Sequence, residues 1–200
     1  MLNYSDVVVL SWITFLLYWL YNWKKVKPSK VKRSNFGIFK LTTVLVAMVF
    51  LIIINRSGLI DVCEKTFGNC FISFARIKDP TPFVGKVGAI TGLFGLIIAI
   101  LARYALSENW SPKVELKKEH KLVTSGVYAY VRHPIYFGMA LMATGTVIVA
   151  QSKIVFFLFL IIILIFLNRI KREEDLMQKT FPKEYPIYKN RTKSLIPYIW

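Results

Sequence analysis

The sequence predicts an all-α integral membrane protein with five transmembrane helices. Hydrophobic residues make up 55% of the 200-residue chain and charged residues only 19%, and the mean hydropathy is +0.48. This composition is unlike that of a soluble globular domain. Several stretches also hold the roughly 20 mostly apolar residues that a helix needs to cross a hydrocarbon core about 30 Å thick.

The five predicted spans follow one another along the chain. The first has Trp and Tyr anchors near its end but no basic leader region and no small-residue cleavage site, so we expect it in the mature protein. The last continues as a polar helix beyond its apolar part. In order, the spans cover residues 5–23, 36–54, 83–106, 134–151 and 154–178.

A short polar break at Gln151, Ser152 and Lys153 separates the last two spans. We therefore predict that they form a tight helical hairpin. The chain divides into a three-span membrane region, 1–106, and a second region, 107–200, within a single structural domain. In the second region we expect an ordered linker and a tail that packs on the cytoplasmic membrane interface, with a loosely bound amphipathic tail as the alternative.

The distribution of charge predicts the orientation. Most of the 27 Lys and Arg residues lie after the first span, between the third and fourth spans, and in the tail. These three segments share one side of the membrane, which the positive-inside rule makes cytoplasmic, with the N-terminus outside. Because the basic residues flank spans and form no stripe, the net charge of +16 indicates anionic lipid headgroups as partners and not nucleic acid.

Two smaller patterns leave alternatives open. Gly85, Gly88, Gly92 and Gly95 lie on roughly one face of the third span, where small residues let another helix approach closely. Packing within the chain is favoured over a dimer seam, so the oligomeric state stays undecided. Cys63 and Cys70 lie in one outside loop and could pair, although two unrelated small residues are the commoner case, and no Cys/His spacing is typical of a metal site.

The candidate site lies where the fourth span begins and the fifth ends. Pro134 suits a first helical position, so His133 and the preceding arginine lie at a helix N-terminus that favours an anionic ligand. The 16 steps from Lys153 to Arg169 span about 24 Å, which returns the chain to the cytoplasmic boundary. Arg169 and Glu173 are four apart and share a helix face, opposite His133 and Tyr136.

These residues belong to a recognisable pattern. "HKLVTSGVYAYVRHPIYFG", two apolar helices, "REED", "FPKEYPIYKNR" and "LIPYI" follow in order over about residues 110–199. The pattern resembles the isoprenylcysteine carboxyl methyltransferase family, within a wider group that includes phospholipid N-methyltransferases. Pro182 stands where the family usually has glycine, and Pro186 interrupts the tail motif.

The resemblance implies a membrane-embedded enzyme that uses S-adenosylmethionine and releases S-adenosylhomocysteine, with region 107–200 as its cofactor-binding part. It implies that Arg169 serves the substrate carboxylate and takes part in catalysis. Residues that would bind the cofactor are His120, Lys121, Leu122, Val123, Tyr128, His133, Pro134, Ile135, Tyr136 and Glu173.

The implied reaction is methylation of the carboxylate of a prenylcysteine-like, lipid-linked substrate to its methyl ester. Methylation of a phospholipid or another lipid amine is the alternative. A reductase of the sterol type with a nicotinamide cofactor, and a membrane scaffold or transporter without a cofactor, are further alternatives. The host membrane would be the cell membrane in a prokaryote or the endoplasmic reticulum in a eukaryote.

Overall fold

A computed structural model of the chain describes residues 3–23, 79–107, 110 and 122–199. The predicted second span, 36–54, and Cys63 and Cys70 lie outside the described residues. So do two of the predicted cofactor-binding residues, His120 and Lys121.

The described residues form helices and no strands, as the sequence predicted. The one bridge of strand type in these parts of the chain is an isolated parallel contact between Val131 and Lys193. The helices are α1 (Tyr4–Trp23), α2 (Pro82–Leu106), a 3₁₀ helix (Gly126–Ala129), α3 (Pro134–Ala150), α4 (Lys153–Thr180) and α5 (Glu184–Arg191).

Three of these helices, α1, α2 and α4, are long and apolar enough to cross a membrane. Helix α3 is apolar but has only 17 residues, or about 26 Å of helix, which is slightly less than a typical hydrocarbon core. Large apolar side chains such as Phe94 on α2 and Leu164 on α4 are more than half exposed at the protein surface. Such outward apolar faces are typical of a multi-pass membrane protein.

Helices α2 and α3 cross at very short distance through glycines. A Cβ atom on Gly95 would lie 2.5 Å from the carbonyl oxygen of Gly138, and one on Gly145 would lie 2.5 Å from the carbonyl oxygen of Gly88. Only glycine permits such backbone contact, so the glycine face of the third predicted span serves packing within the chain. Gly92 is different, because a Cβ there would meet only Val8, at 3.9 Å.

Helix α1 closes the other side of this pair. Its buried residues Val8, Trp12 and Phe15 recur at helical spacing and join the core with residues of α2, α3 and α4. The indole Nε1 of Trp12 donates to Thr146 Oγ1 at 3.0 Å, so the polar end of this large buried ring has a partner.

The predicted polar break after α3 is present. Helix α3 ends at Ala150, Gln151 adopts a left-handed conformation with φ 46°, and α4 begins at Lys153. Helix α4 buries Val155, Ile162 and Phe166 along one face and then continues as a polar helix to Thr180.

The tail packs on the protein and contains a helix that the sequence analysis did not predict. Pro186 is the third residue of α5, where its missing N–H is one of the four that a helix start leaves without an intrahelical partner. Tyr185 and Tyr188 on α5, and Leu195 beyond it, are buried. The tail is therefore a packed part of the fold.

The glycine crossing predicts a contrast between two identical substitutions. Gly95→Ala places a methyl group against backbone atoms of α3, so we expect it to lower stability by about 1–3 kcal/mol, typical of an overpacked core. Gly92→Ala should change stability little, because its methyl group has ordinary contact distance. Thermal unfolding of both variants in detergent measures this, and equal melting temperatures would contradict it.

Candidate functional site

The centre of the candidate site is the carboxylate of Glu173. Its Oε1 accepts a hydrogen bond from the hydroxyl of Tyr136 at 2.6 Å and another from Nε of Arg169 at 3.0 Å. Its Oε2 lies 3.7 Å from Nδ1 of His133. Four residues that were predicted from the sequence therefore meet in one cluster, although the predicted division between cofactor and substrate roles did not foresee that Arg169 and Glu173 bond to each other.

Two helices position this cluster. Tyr136 lies in the first turn of α3 and packs against Phe166 of α4, with ring centroids 5.1 Å apart. Phe166, Arg169 and Glu173 are three and four residues apart, so they lie along one face of α4. Along this face, the apolar contact of Phe166 is followed by the charged side chains of Arg169 and Glu173 toward the C-terminal end of α4.

The start of α3 lies opposite Glu173. Pro134 is the first helical residue and is buried, and His133 is the N-cap residue, 9% exposed. Nε2 of His133 is buried and has no hydrogen-bond partner in the described residues, although Glu174 Oε1 lies 3.4 Å away. Ile135 is partly buried and packs against the core.

Arg132 does not face a ligand at this helix start, contrary to the sequence-based expectation for this N-terminus. Its side chain is 8% exposed, and Nε donates to Glu174 at 2.9 Å. Its Nη1 donates to the backbone oxygens of Lys189 and Thr192 in the tail. A nearby carboxylate and the tail carbonyls satisfy this guanidinium within the protein.

Tyr128 lies in the 3₁₀ helix and is buried, 6% exposed. Its backbone oxygen accepts a hydrogen bond from the Tyr188 hydroxyl at 2.8 Å. Burial raises the pKa of Tyr188 to about 12 and the pKa of Tyr128 well above its ordinary value, with the nearby Tyr188 and Glu173 adding to the shift of Tyr128. Both phenols therefore keep their protons at neutral pH.

Leu122 and Val123 are half-buried in the segment that leads to the 3₁₀ helix. The two preceding residues of the predicted cofactor-binding set, His120 and Lys121, lie outside the described residues.

Two further charged residues border the site and were not singled out in the sequence. Glu174 contacts His133 and Arg132. Arg103, in the last turn of α2, is 2% exposed, and its charge opposes the rise in the pKa of Tyr128. The signal for Arg103 was a lone arginine near the end of an apolar span, where charge is rare unless it has a role.

Arg103 also links the C-terminal ends of α1 and α2. Its Nη1 donates to the backbone oxygen of Ser107 at 2.7 Å, and its Nη2 donates to that of Asn22 at 3.2 Å. The guanidinium lies over the ring of Trp110, 4.5 Å from the centroid. These contacts keep α1 beside the helix that packs on the 3₁₀ segment.

Comparison with known proteins gives consistent matches. The family model described as the isoprenylcysteine carboxyl methyltransferase family matches residues 88–179, from the third predicted span through the polar end of α4. The match thus starts earlier than the resemblance noted in the sequence and stops before the tail.

Curated relatives carry the same name. The protein-S-isoprenylcysteine O-methyltransferase of Dictyostelium discoideum is 36% identical over 114 residues, which are 56% of this chain and 48% of the relative. That of Saccharomyces cerevisiae is 26% identical over 196 residues, 96% of this chain and 78% of the relative. The chain thus spans about half the length of the first relative and over three quarters of the second.

A solved structure shares the fold. The structure of the eukaryotic intramembrane Ras methyltransferase ICMT superposes with a TM-score of 0.59 at 24% identity, and the match covers 85% of this chain and 55% of that chain. The family match over residues 88–179, the curated relatives and the shared helical fold show that this chain is similar to the isoprenylcysteine carboxyl methyltransferase family.

Proposed function

We propose that this chain is an S-adenosylmethionine-dependent methyltransferase that converts the carboxylate of a prenylcysteine-like, lipid-linked substrate to a methyl ester. The observation that carries the proposal is the cluster of Tyr136, Arg169 and His133 around Glu173, formed where two apolar helices become polar. The activity named for the curated relatives supports the same reaction.

The described residues suit the cofactor. S-adenosylmethionine carries an α-ammonium, which the Glu173 carboxylate can pair, and an α-carboxylate, which the start of α3 can receive. His133 lies beside the Glu173 carboxylate, with its Nδ1 3.7 Å from Glu173 Oε2, so its ring can border the same ligand. Tyr136 and Tyr128 would line the same pocket, and the half-buried Leu122, Val123 and Ile135 offer apolar contact.

When bound, the cofactor would supply a sulfonium methyl group. The substrate carboxylate oxygen would attack this methyl carbon in line, so that the ester O–C bond forms as the C–S bond breaks and S-adenosylhomocysteine leaves. An α-carboxyl group has a pKa of about 3.5, so the nucleophile is ionised at neutral pH and no general base is needed. The chain's own residues contribute alignment and exclusion of water.

We assign the substrate carboxylate to Arg169, whose planar guanidinium can hold a carboxylate bidentately. Its Nε bond to Glu173 and its position 6.0 Å from the centre of the Tyr136 ring fix the plane of the group. One acidic side chain would then orient the cofactor and the arginine together. The apolar part of the substrate would approach between helices from the lipid, and the cofactor from the cytoplasm.

The proposal keeps the predicted membrane topology. It has five spans, with the second at 36–54 and α3 as the fourth, and a hairpin of α3 and α4. The two-residue link after Ala150 and the Tyr136–Glu173 bond at the other end of the pair support the hairpin. By the positive-inside rule, the basic residues support a site at the cytoplasmic side with the N-terminus outside. The host membrane would be the cell membrane of a prokaryote or the endoplasmic reticulum of a eukaryote.

The deciding experiment uses purified protein in detergent or lipid with methyl-labelled S-adenosylmethionine. We expect base-labile label on farnesylcysteine acids and none on phosphatidylethanolamine. Label on the lipid amine alone would replace this function with N-methylation, and no label with either class would remove it. A thermal shift with NADPH in place of S-adenosylhomocysteine would point to a reductase.

The cofactor assignment predicts that Glu173→Ala and His133→Ala each weaken binding of S-adenosylhomocysteine by at least about tenfold, since each removes a charged or buried hydrogen-bonding group. Calorimetry measures the affinity, and the helical circular dichroism signal should be unchanged. Glu184→Gln, an exposed acid in the first turn of α5, is the control. Wild-type affinity in both site variants would overturn the assignment.

Arg169→Lys tests the substrate assignment. Lysine keeps the charge but not the planar fork, so we expect kcat with a prenylcysteine acid to fall by about 100-fold or more. The affinity for S-adenosylhomocysteine should change far less, which separates this residue from Glu173. Methyl transfer at the wild-type rate would mean that the arginine only neutralises its helix neighbour.

A further inference from the structure

The two adjacent acids of α4 have different surroundings. Glu174 accepts from Arg132 Nε at 2.9 Å and from Ser194 Oγ at 3.3 Å, and its Oε2 pairs with Lys189 Nζ at 2.8 Å. Its Oε1 also lies 3.4 Å from Nε2 of His133. Both carboxylate oxygens therefore face groups of the protein. Two of the four partners, Arg132 and His133, precede α3, and the other two, Lys189 and Ser194, lie in the tail.

The same partners tie the tail to the residues that precede α3. The backbone N–H of Arg132 donates to the carbonyl of Lys193 at 2.9 Å, and that of His133 donates to the carbonyl of Ser194 at 3.0 Å. Nη1 of Arg132 donates to the carbonyl of Thr192. The tail after α5 is thus hydrogen-bonded along the backbone that carries His133.

We propose that Glu174 is a positioning residue for the cofactor site. It anchors the tail, residues 184–195, to the start of α3 and thereby holds the His133 ring beside Glu173. The inference rests on the proposed function of that site, because it gives a role to a residue that faces the tail and not the ligand.

Burial and helix geometry support this division. Neighbouring residues of a helix point about 100° apart, so Glu173 and Glu174 face largely different partners and share His133. The side chain of Glu174 is 13% exposed, against 24% for Glu173, and its main partner Arg132 is 8% exposed. Removal of the Glu174 charge would leave that arginine buried without its counter-charge, which strongly favours release of the segment.

His133 depends on both acids. Nδ1 faces Glu173 at 3.7 Å and Nε2 faces Glu174 at 3.4 Å, so a carboxylate lies on each side of the ring. Loss of one carboxylate leaves the ring held from one side only. A displacement of about 1 Å at such a position is enough to reduce catalysis substantially.

The test compares Glu174→Gln with Asp175→Asn, an equal change at the next, exposed acid of α4. For Glu174→Gln we expect S-adenosylhomocysteine affinity to fall by about tenfold. We also expect trypsin to cleave after Arg191 and Lys193 at least about tenfold faster, because cleavage needs local release of the tail. Mass spectrometry identifies these cuts, and Asp175→Asn should match the wild type in both measurements.

A second variant keeps the test decisive if Glu174→Gln does not fold. Lys189→Gln removes only the half-exposed ion pair, so it should fold and show smaller changes in the same direction. Wild-type cleavage rates and wild-type affinity in the folded variants would overturn the proposal. A third outcome is faster cleavage of the variants together with no cofactor binding even by the wild type. It would support Glu174 as the anchor of the tail and would reject the proposed function instead.

Discussion

The hydrogen bond between Tyr136 and Glu173 is the contact on which the candidate site depends. It joins the first turn of α3 to the polar part of α4, and the two helices are linked at their other ends by only two residues. A charged acceptor next to apolar helix faces makes this bond stronger than its equivalent in water. Arg169, one helical turn away, offsets the charge of this carboxylate through an ion pair at 3.0 Å.

The position of Tyr136 depends in turn on how α3 is held. Gly95 and Gly138 let the backbones of α2 and α3 touch, which leaves α3 little freedom to shift or rotate. On the other side, Phe166 of α4 packs against the Tyr136 ring. Small residues on one face and an aromatic contact on the other therefore define where the phenol points. In the proposed reaction, precise placement matters because alignment of the reacting groups would supply much of the reduction in the activation barrier.

The adjacent acids Glu173 and Glu174 of α4 have different surroundings in the candidate site. Glu173 has one oxygen toward His133 and is the more exposed of the two, which suits its proposed role in binding the cofactor. Glu174 is enclosed by Arg132, Lys189 and the tail. The site therefore has a side open to ligands and a side closed by the C-terminal segment. The tail contains none of the predicted cofactor-binding residues, but it is hydrogen-bonded to the backbone of one of them, His133.

The sequence by itself determined the apolar helices, the polar break at residues 151–153, the helix start at His133 and Pro134, and the shared helix face of Arg169 and Glu173. Hydropathy, helical period and proline placement determine these features, and all of them are local properties. The sequence did not determine which groups bond inside the candidate site. The helical period predicts which side chains share a face of a helix. Only the packing of the helices decides whether a charged side chain on that face contacts a ligand or another side chain. The enclosure of Arg132 and Glu174 by the tail and the burial of Arg103 depend on contacts between distant segments, and only the tertiary structure decided them.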